Sequence, residues 1–121
     1  MIDHIGIDVS NYPRAKQFYA AALAPLGYAV VAEYGEAAGL GADGKPDFWI
    51  SAGTATQPIV HVAFQCRNRT QVDQFYAAAL QAGGTDNGAP GIREDYAPTY
   101  YAAFVFDPDG HNIEAVCHAP A

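Results

Sequence analysis

The stretch from His61 to Gly84 repeats the stretch from His4 to Gly27, and no other feature of the chain restricts its fold as strongly. The copies stand 57 positions apart (61 − 4). Asn11 meets Asn68, Gln17 to Leu23 (QFYAAAL) meets Gln74 to Leu80 (QFYAAAL), and Gly27 meets Gly84, so that ten of twenty-four positions are identical. An alanine-rich string recurs cheaply. A histidine, an asparagine and a glycine held at one common offset do not, and the chain is therefore read as two copies of one supersecondary unit.

Within the first copy, residues Met1 to Val9 alternate, with Ile5, Ile7 and Val9 on one face and His4, Gly6 and Asp8 on the other, which predicts a strand with one face buried. Ser10 or Asn11 can cap the helix that follows, and Pro13 is tolerated in its first turn. Ala15, Phe18, Tyr19, Ala22, Leu23 and Leu26 form an apolar stripe, and Gly27 closes the helix. Tyr28 to Tyr34, Ala37 to Ala42 and Asp47 to Ala52 read as strands, the last two joined by a turn at Asp43-Gly44. After the linker Gly53 to Pro58, Ile59 to Gln65 restarts the pattern, Asn68 and Gln71 form a capping box, and Val72, Phe75, Tyr76, Ala79 and Leu80 rebuild the stripe. Thr85 to Pro98 is rich in Gly, Pro, Asn and Asp and reads mostly as loop. Thr99 to Phe106 and Asn112 to His118 are strands around the turn Asp107-Pro108-Asp109-Gly110. The expected organisation is one α+β domain, 1–121, made of two βαβββ modules at about 1–52 and 59–118.

Composition narrows the function classes. Formal net charge is −7, and the six basic residues are scattered apart from Arg67 and Arg69, so no stripe exists to neutralise phosphates and nucleic acid is not an expected partner. No apolar run approaches the length of a membrane span, and the first residues show neither a basic region nor a long apolar core, which leads to the expectation of a cytoplasmic protein that does not engage membranes. Cys66 and Cys117 read as small buried residues rather than a disulfide.

Comparing the first strand of each copy with the last strand of the chain separates two chemistries. Ile5, Ile7, Val9, Val62, Phe64, Cys66, Ile113, Ala115 and Cys117 are apolar and suit helix packing. On the opposite parity lie His4, Gly6 and Asp8, then His61, Ala63 and Gln65, then Asn112, Glu114, Val116 and His118. If the sheet bends around that second face it encloses a cavity into which His4, His61 and Glu114 point. Two imidazoles and a carboxylate form a facial donor set that leaves positions open on a divalent metal for substrate oxygens. The cofactor expected is one divalent ion, among Zn, Fe, Mn, Ni and Co. His111 and His118 read as structural.

At these residues the chain resembles the vicinal oxygen chelate superfamily, the glyoxalase, bleomycin-resistance and extradiol-dioxygenase group. The resemblance rests on HIGIDVSNYPRAKQFY at the start, HVAF with its helix in the middle, and FVFDPDGHNIEAV at the end. It implies paired βαβββ modules forming an incomplete β-barrel with helices on the outer face, a metal held by His4, His61 and Glu114, and a homodimer acting on a small molecule. The function implied is that of a small metal-dependent lyase, isomerase or dioxygenase. The alternative is a non-catalytic binding or drug-sequestering module of the bleomycin-resistance type.

The chain departs from the glyoxalase I pattern in one respect. Aligning Asp43-Gly44 with Asp109-Gly110 places Phe48 where a fourth carboxylate ligand would stand, with Asp47 one residue away on the opposite face. Phe48, Tyr100 and Tyr101 are candidate substrate contacts, with Trp49 and Tyr96 near them, and Arg93 is a candidate clamp for a substrate carboxylate. No residue stands out as the general base.

Overall fold

The computed structural model describes all 121 residues. Its elements are β1 (Ile5–Val9), α1 (Tyr12–Leu23), β2 (Ala29–Tyr34), β3 (Ala37–Ala42), β4 (Lys45–Ala52), β5 (His61–Gln65), α2 (Arg69–Gln81), β6 (Thr85–Asp86), β7 (Gly91–Ile92), β8 (Tyr101–Phe106) and β9 (Asn112–Cys117). The α+β class and the two-module organisation expected from the repeat are what the structure shows. One sheet runs β1-β4-β3-β2, the other β5-β9-β8-β6, with β7 also on β8, and neither closes into a barrel. In both modules the first strand pairs in parallel with the last.

Local chemistry accounts for the helix ends. The Asn11 side chain accepts from the Arg14 amide at 3.1 Å and Asn68 from the Gln71 amide at 2.9 Å. Each satisfies an amide that the first helical turn leaves free. Gln71 completes the second cap, its side-chain oxygen accepting from the Arg67 amide at 2.8 Å. Gly27 ends the first helical segment at φ +86°, a conformation that a β-carbon disfavours. Both first strands are shorter than expected, because pairing begins at Ile5 and His61 and leaves the preceding residues outside the ladder. The segment expected to be mostly loop contributes only the two-residue pairings β6 and β7.

The apolar parities of both sheets and the buried stripes of both helices form a single core that includes Ile7, Val9, Phe18, Tyr19, Phe48, Ile50, Phe64, Val72, Phe75, Ile113 and Ala115. Across the module boundary, the Phe48 and Phe64 rings meet edge to face at 5.4 Å. The fully buried Tyr19 of α1 donates its hydroxyl to Asp107 in the β8–β9 turn. Because the two apolar faces meet in one core, the open faces of the sheets look away from it. The second module's open face carries the cluster described next.

Candidate functional site

Residues on the open face of the β5-β9-β8 sheet are positioned by strand pairing. His61 pairs with Asn112, Ala63 with Glu114, and Glu114 with Phe104, so His61, Glu114 and Phe104 share one face. Glu114 is 1% exposed, whereas the His61 side chain is 52% exposed, so the carboxylate is the floor of the site and the imidazole its rim. A carboxylate removed from water in this way costs several kcal/mol unless it is hydrogen-bonded. Here both oxygens are engaged, Oε1 by His61 Nε2 at 2.8 Å and Oε2 by the Tyr100 hydroxyl. Burial, and after it the bond to Glu114, push the Tyr100 phenol up to about 12, so near neutral pH it is a donor. The Tyr96 and His118 rings pack edge-on against Tyr100, at 5.0 and 5.2 Å. Arg93 lies over the Phe104 ring, 5.3 Å from its centroid.

Of the expected metal set, the chain brings together His61 and Glu114 but not His4. His4 precedes β1, its side chain is 57% exposed, and its Nδ1 is 2.7 Å from Asp3. No three side chains of His, Cys, Asp or Glu type converge anywhere in the chain. The donor chemistry of the pair suits a divalent ion, and neighbouring donors around a six-coordinate ion with bonds of about 2.1 Å stand about 3 Å apart. His61 and Glu114 therefore fit two positions. No third His, Cys, Asp or Glu side chain of the same chain joins them.

The other expected contacts divide. Tyr100 and Arg93 are on the open face, but Tyr101 is not, because adjacent strand residues point to opposite sides. Its hydroxyl donates to Asp73 of α2 at 2.6 Å and its ring lies under Arg69. Phe48 is also misplaced as a substrate contact, being 1% exposed and packed against Tyr19 and Phe64.

Gly6 pairs with Trp49 as Ala63 pairs with Glu114, and Gly6 and Ala63 are equivalent in the repeat, so the counterpart of Glu114 is Trp49 and not Phe48. Matching the two Asp-Gly turns places that counterpart one residue too early. The β3–β4 turn is two residues long and is followed by a bulge at Asp47, whereas the β8–β9 loop spans Asp107 to His111. Phe48 and Ile50 match Ile113 and Ala115 in apolar parity, and that signal was present in the sequence. Trp49 has no ligating group, and the Asp47 carboxylate is taken by the Tyr28 hydroxyl at 2.8 Å.

Trp49 is a second feature that sequence reasoning left undeveloped. Its indole lies across Gly39, where an added β-carbon would come within 2.8 Å of Cζ2, and stacks with Tyr34 at 6.1 Å and 16°. One sheet thus offers a buried carboxylate with an imidazole, and the other, at the matching position, an aromatic surface.

The family model of the Glyoxalase/Bleomycin resistance protein/Dioxygenase superfamily matches residues 1–115. No curated protein matches the chain. Among solved structures, a glyoxalase/bleomycin resistance protein from Albidiferax ferrireducens is 28% identical, with a TM-score of 0.81 over 94% of this chain and 96% of that one. A glyoxalase/bleomycin resistance protein/dioxygenase family enzyme from Burkholderia phytofirmans is 18% identical with a TM-score of 0.76, covering 98% of each chain. A glyoxalase-related enzyme from Fulvimarina pelagi is 19% identical with a TM-score of 0.73, over 97% of this chain and 87% of that one. The last two likenesses concern the fold alone.

Proposed function

We propose that this chain, which belongs to the Glyoxalase/Bleomycin resistance protein/Dioxygenase superfamily, is a metal-dependent enzyme acting on a small substrate with two neighbouring oxygens. His61 and Glu114 of one copy and His4 of a second copy hold the ion in a homodimer. The observation that carries this reading is the pairing of a nearly inaccessible carboxylate with a rim imidazole at 2.8 Å on the side of the sheet away from the core. A buried carboxylate is costly to keep for packing alone. Its use is to hold negative charge at a fixed point where a cation or a proton is handled.

When bound, the ion would polarise substrate oxygens as a Lewis acid. The chain's own residues supply the rest. Tyr100 holds Glu114 in place from the side opposite His61, and Tyr96 and His118 pack against the Tyr100 ring, limiting its rotation. The directions of the open faces support a second copy. His4 lies at the start of one sheet and His61 on the other, away from the shared core, so a neighbouring molecule would bring them face to face, and a twofold arrangement would make two identical sites.

Mixing two inactive variants tests both parts of this reading. His4→Ala and His61→Ala should each lose tight metal binding. A heterodimer of the two contains one site with both histidines intact and should regain one tight site. Failure of the mixture to regain binding would rule out the shared site.

The alternative, a non-catalytic small-molecule binder, finds support in the Trp49–Tyr34 surface, which would serve binding without chemistry. Retained ligand affinity after chelation of all metal, with no turnover of any bound compound, would favour it.

A further inference from the structure

Arg93 is held in place more firmly than a solvated loop arginine. Its backbone amide donates to the Tyr100 carbonyl at 2.8 Å, which sets the two residues opposite each other, with Tyr100 reaching Glu114 and Arg93 reaching over Phe104. Nη2 donates to the Ala89 carbonyl at 2.8 Å. Two glycines make room for the guanidinium. A β-carbon on Gly88 would come within 3.1 Å of both Nη2 and Phe104 Cδ1, and one on Gly91 within 3.1 Å of Nη1.

This guanidinium has no carboxylate partner. The ion pairs of the chain are His4–Asp3, Lys16–Glu33 and His61–Glu114, and the exposed Glu94 and Asp95 that follow Arg93 form none with it. Thirteen acidic residues face six basic ones, so a half-buried arginine left without an acid is against the odds of the composition. Phe104, over which it lies, is the strand partner of Glu114. The ring orients the guanidinium plane, and most of its five donors are left for a ligand. The Glu114 charge is shared with His61 and Tyr100, which weakens its repulsion of a nearby anion.

We infer that Arg93 forms an anion subsite beside the His61–Glu114 pair, and that the substrate is a small carboxylic acid with a neighbouring oxygen, of the 2-oxo or 2-hydroxy acid type. The inference rests on reading this open face as the substrate site. A planar carboxylate matches the guanidinium fork in two parallel hydrogen bonds, which an amide cannot do.

The test compares pyruvate with pyruvamide, its uncharged isostere, on the full chain stripped of metal by a chelator, with binding read from the Arg93 Nε–H signal by nuclear magnetic resonance. The expected result is pyruvate binding at least about tenfold tighter than pyruvamide. In Arg93→Gln, followed through neighbouring backbone amides, that preference should disappear, and in Arg93→Lys it should be partly kept. Equal affinities in the parent, absence of saturable pyruvate binding, or a preference that survives Arg93→Gln overturns the inference. Metal titration of Arg93→Gln is a separate readout and should show affinity no weaker than the parent, since only a positive charge is removed, so the fate of the anion subsite and that of the shared metal site are judged independently.

Discussion

His61 Nε2 stands 2.8 Å from Glu114 Oε1, joining the first strand of the second module to the last strand of the chain, and this contact defines the candidate site. It joins a residue that is half in solvent to one that solvent barely touches, so a group bound to both enters from the rim and meets fixed charge at the floor.

Glu114→Gln separates charge from shape. The amide can still accept from Tyr100 and keeps the volume, so the fold should survive, while affinity for Mn or Zn should fall at least about tenfold. Metal titration with far-ultraviolet circular dichroism as the control checks this. Unchanged affinity would remove Glu114 from the ligand set.

Gly39→Ala is expected to lift the only tryptophan from its place. The added methyl would stand 2.8 Å from Trp49 Cζ2 and 2.9 Å from Pro46 Cβ, closer than packing tolerates. Overpacking of this kind costs about 1–3 kcal/mol. Trp49 fluorescence should shift to longer wavelength as the indole is exposed, and a denaturant titration should show the loss of stability.

Tyr19→Phe should weaken the joint between the modules. Asp107, 5% exposed, accepts from Tyr19 and from the amides of Asp109 and His111, and without the phenol one buried oxygen loses a donor. A loss of about 1–3 kcal/mol is expected in chemical unfolding.

The same tyrosine leads to an alkaline prediction. Burial, then the Asp107 charge, raises the Tyr19 phenol well above 10, and burial, then Asp47, raises Tyr28 as well. A group whose pKa is higher in the folded state stabilises fully below its unfolded value and loses that contribution as pH rises through the folded one. The contribution of these two tyrosines should therefore hold to about pH 10 and fall steadily above it. Tyr19→Phe should flatten the fall, as read by chemical unfolding at a series of pH values. An identical slope in the variant would contradict it.

Trp49 at the position matching Glu114 bears on which chemistry to exclude. Its indole cannot relay a proton between neighbouring carbons as a carboxylate could, and Asp47 is occupied by Tyr28. With the hemithioacetal of methylglyoxal and glutathione, after loading with Ni, Co, Zn, Mn or Fe(II), kcat/KM should stay below roughly 10⁴ M⁻¹s⁻¹. A higher value with any of these metals would show that the fourth carboxylate is dispensable.

The module, its duplication, the helix caps at Asn11 and Asn68, and the parity that sends Ile7, Phe64 and Ile113 to the core and His61 and Glu114 to the open side are legible in the order of residues alone. These follow from local periodicity and from the repeat, because neighbouring side chains on a strand must point to opposite faces. Parity also places Tyr101 and Phe48 on the buried side once each strand's register is known. For Phe48 that register was hidden, since the Asp47 bulge and the unequal hairpins shift the turns by one residue relative to the strands. Which faces meet is set by packing between the modules. The Phe48–Phe64 contact and the Tyr19–Asp107 bond join the modules through their apolar sides, which turns the open faces apart and separates His4 from His61. Burying both apolar faces in one core is a property of the packed modules together, and no pattern within either copy records it.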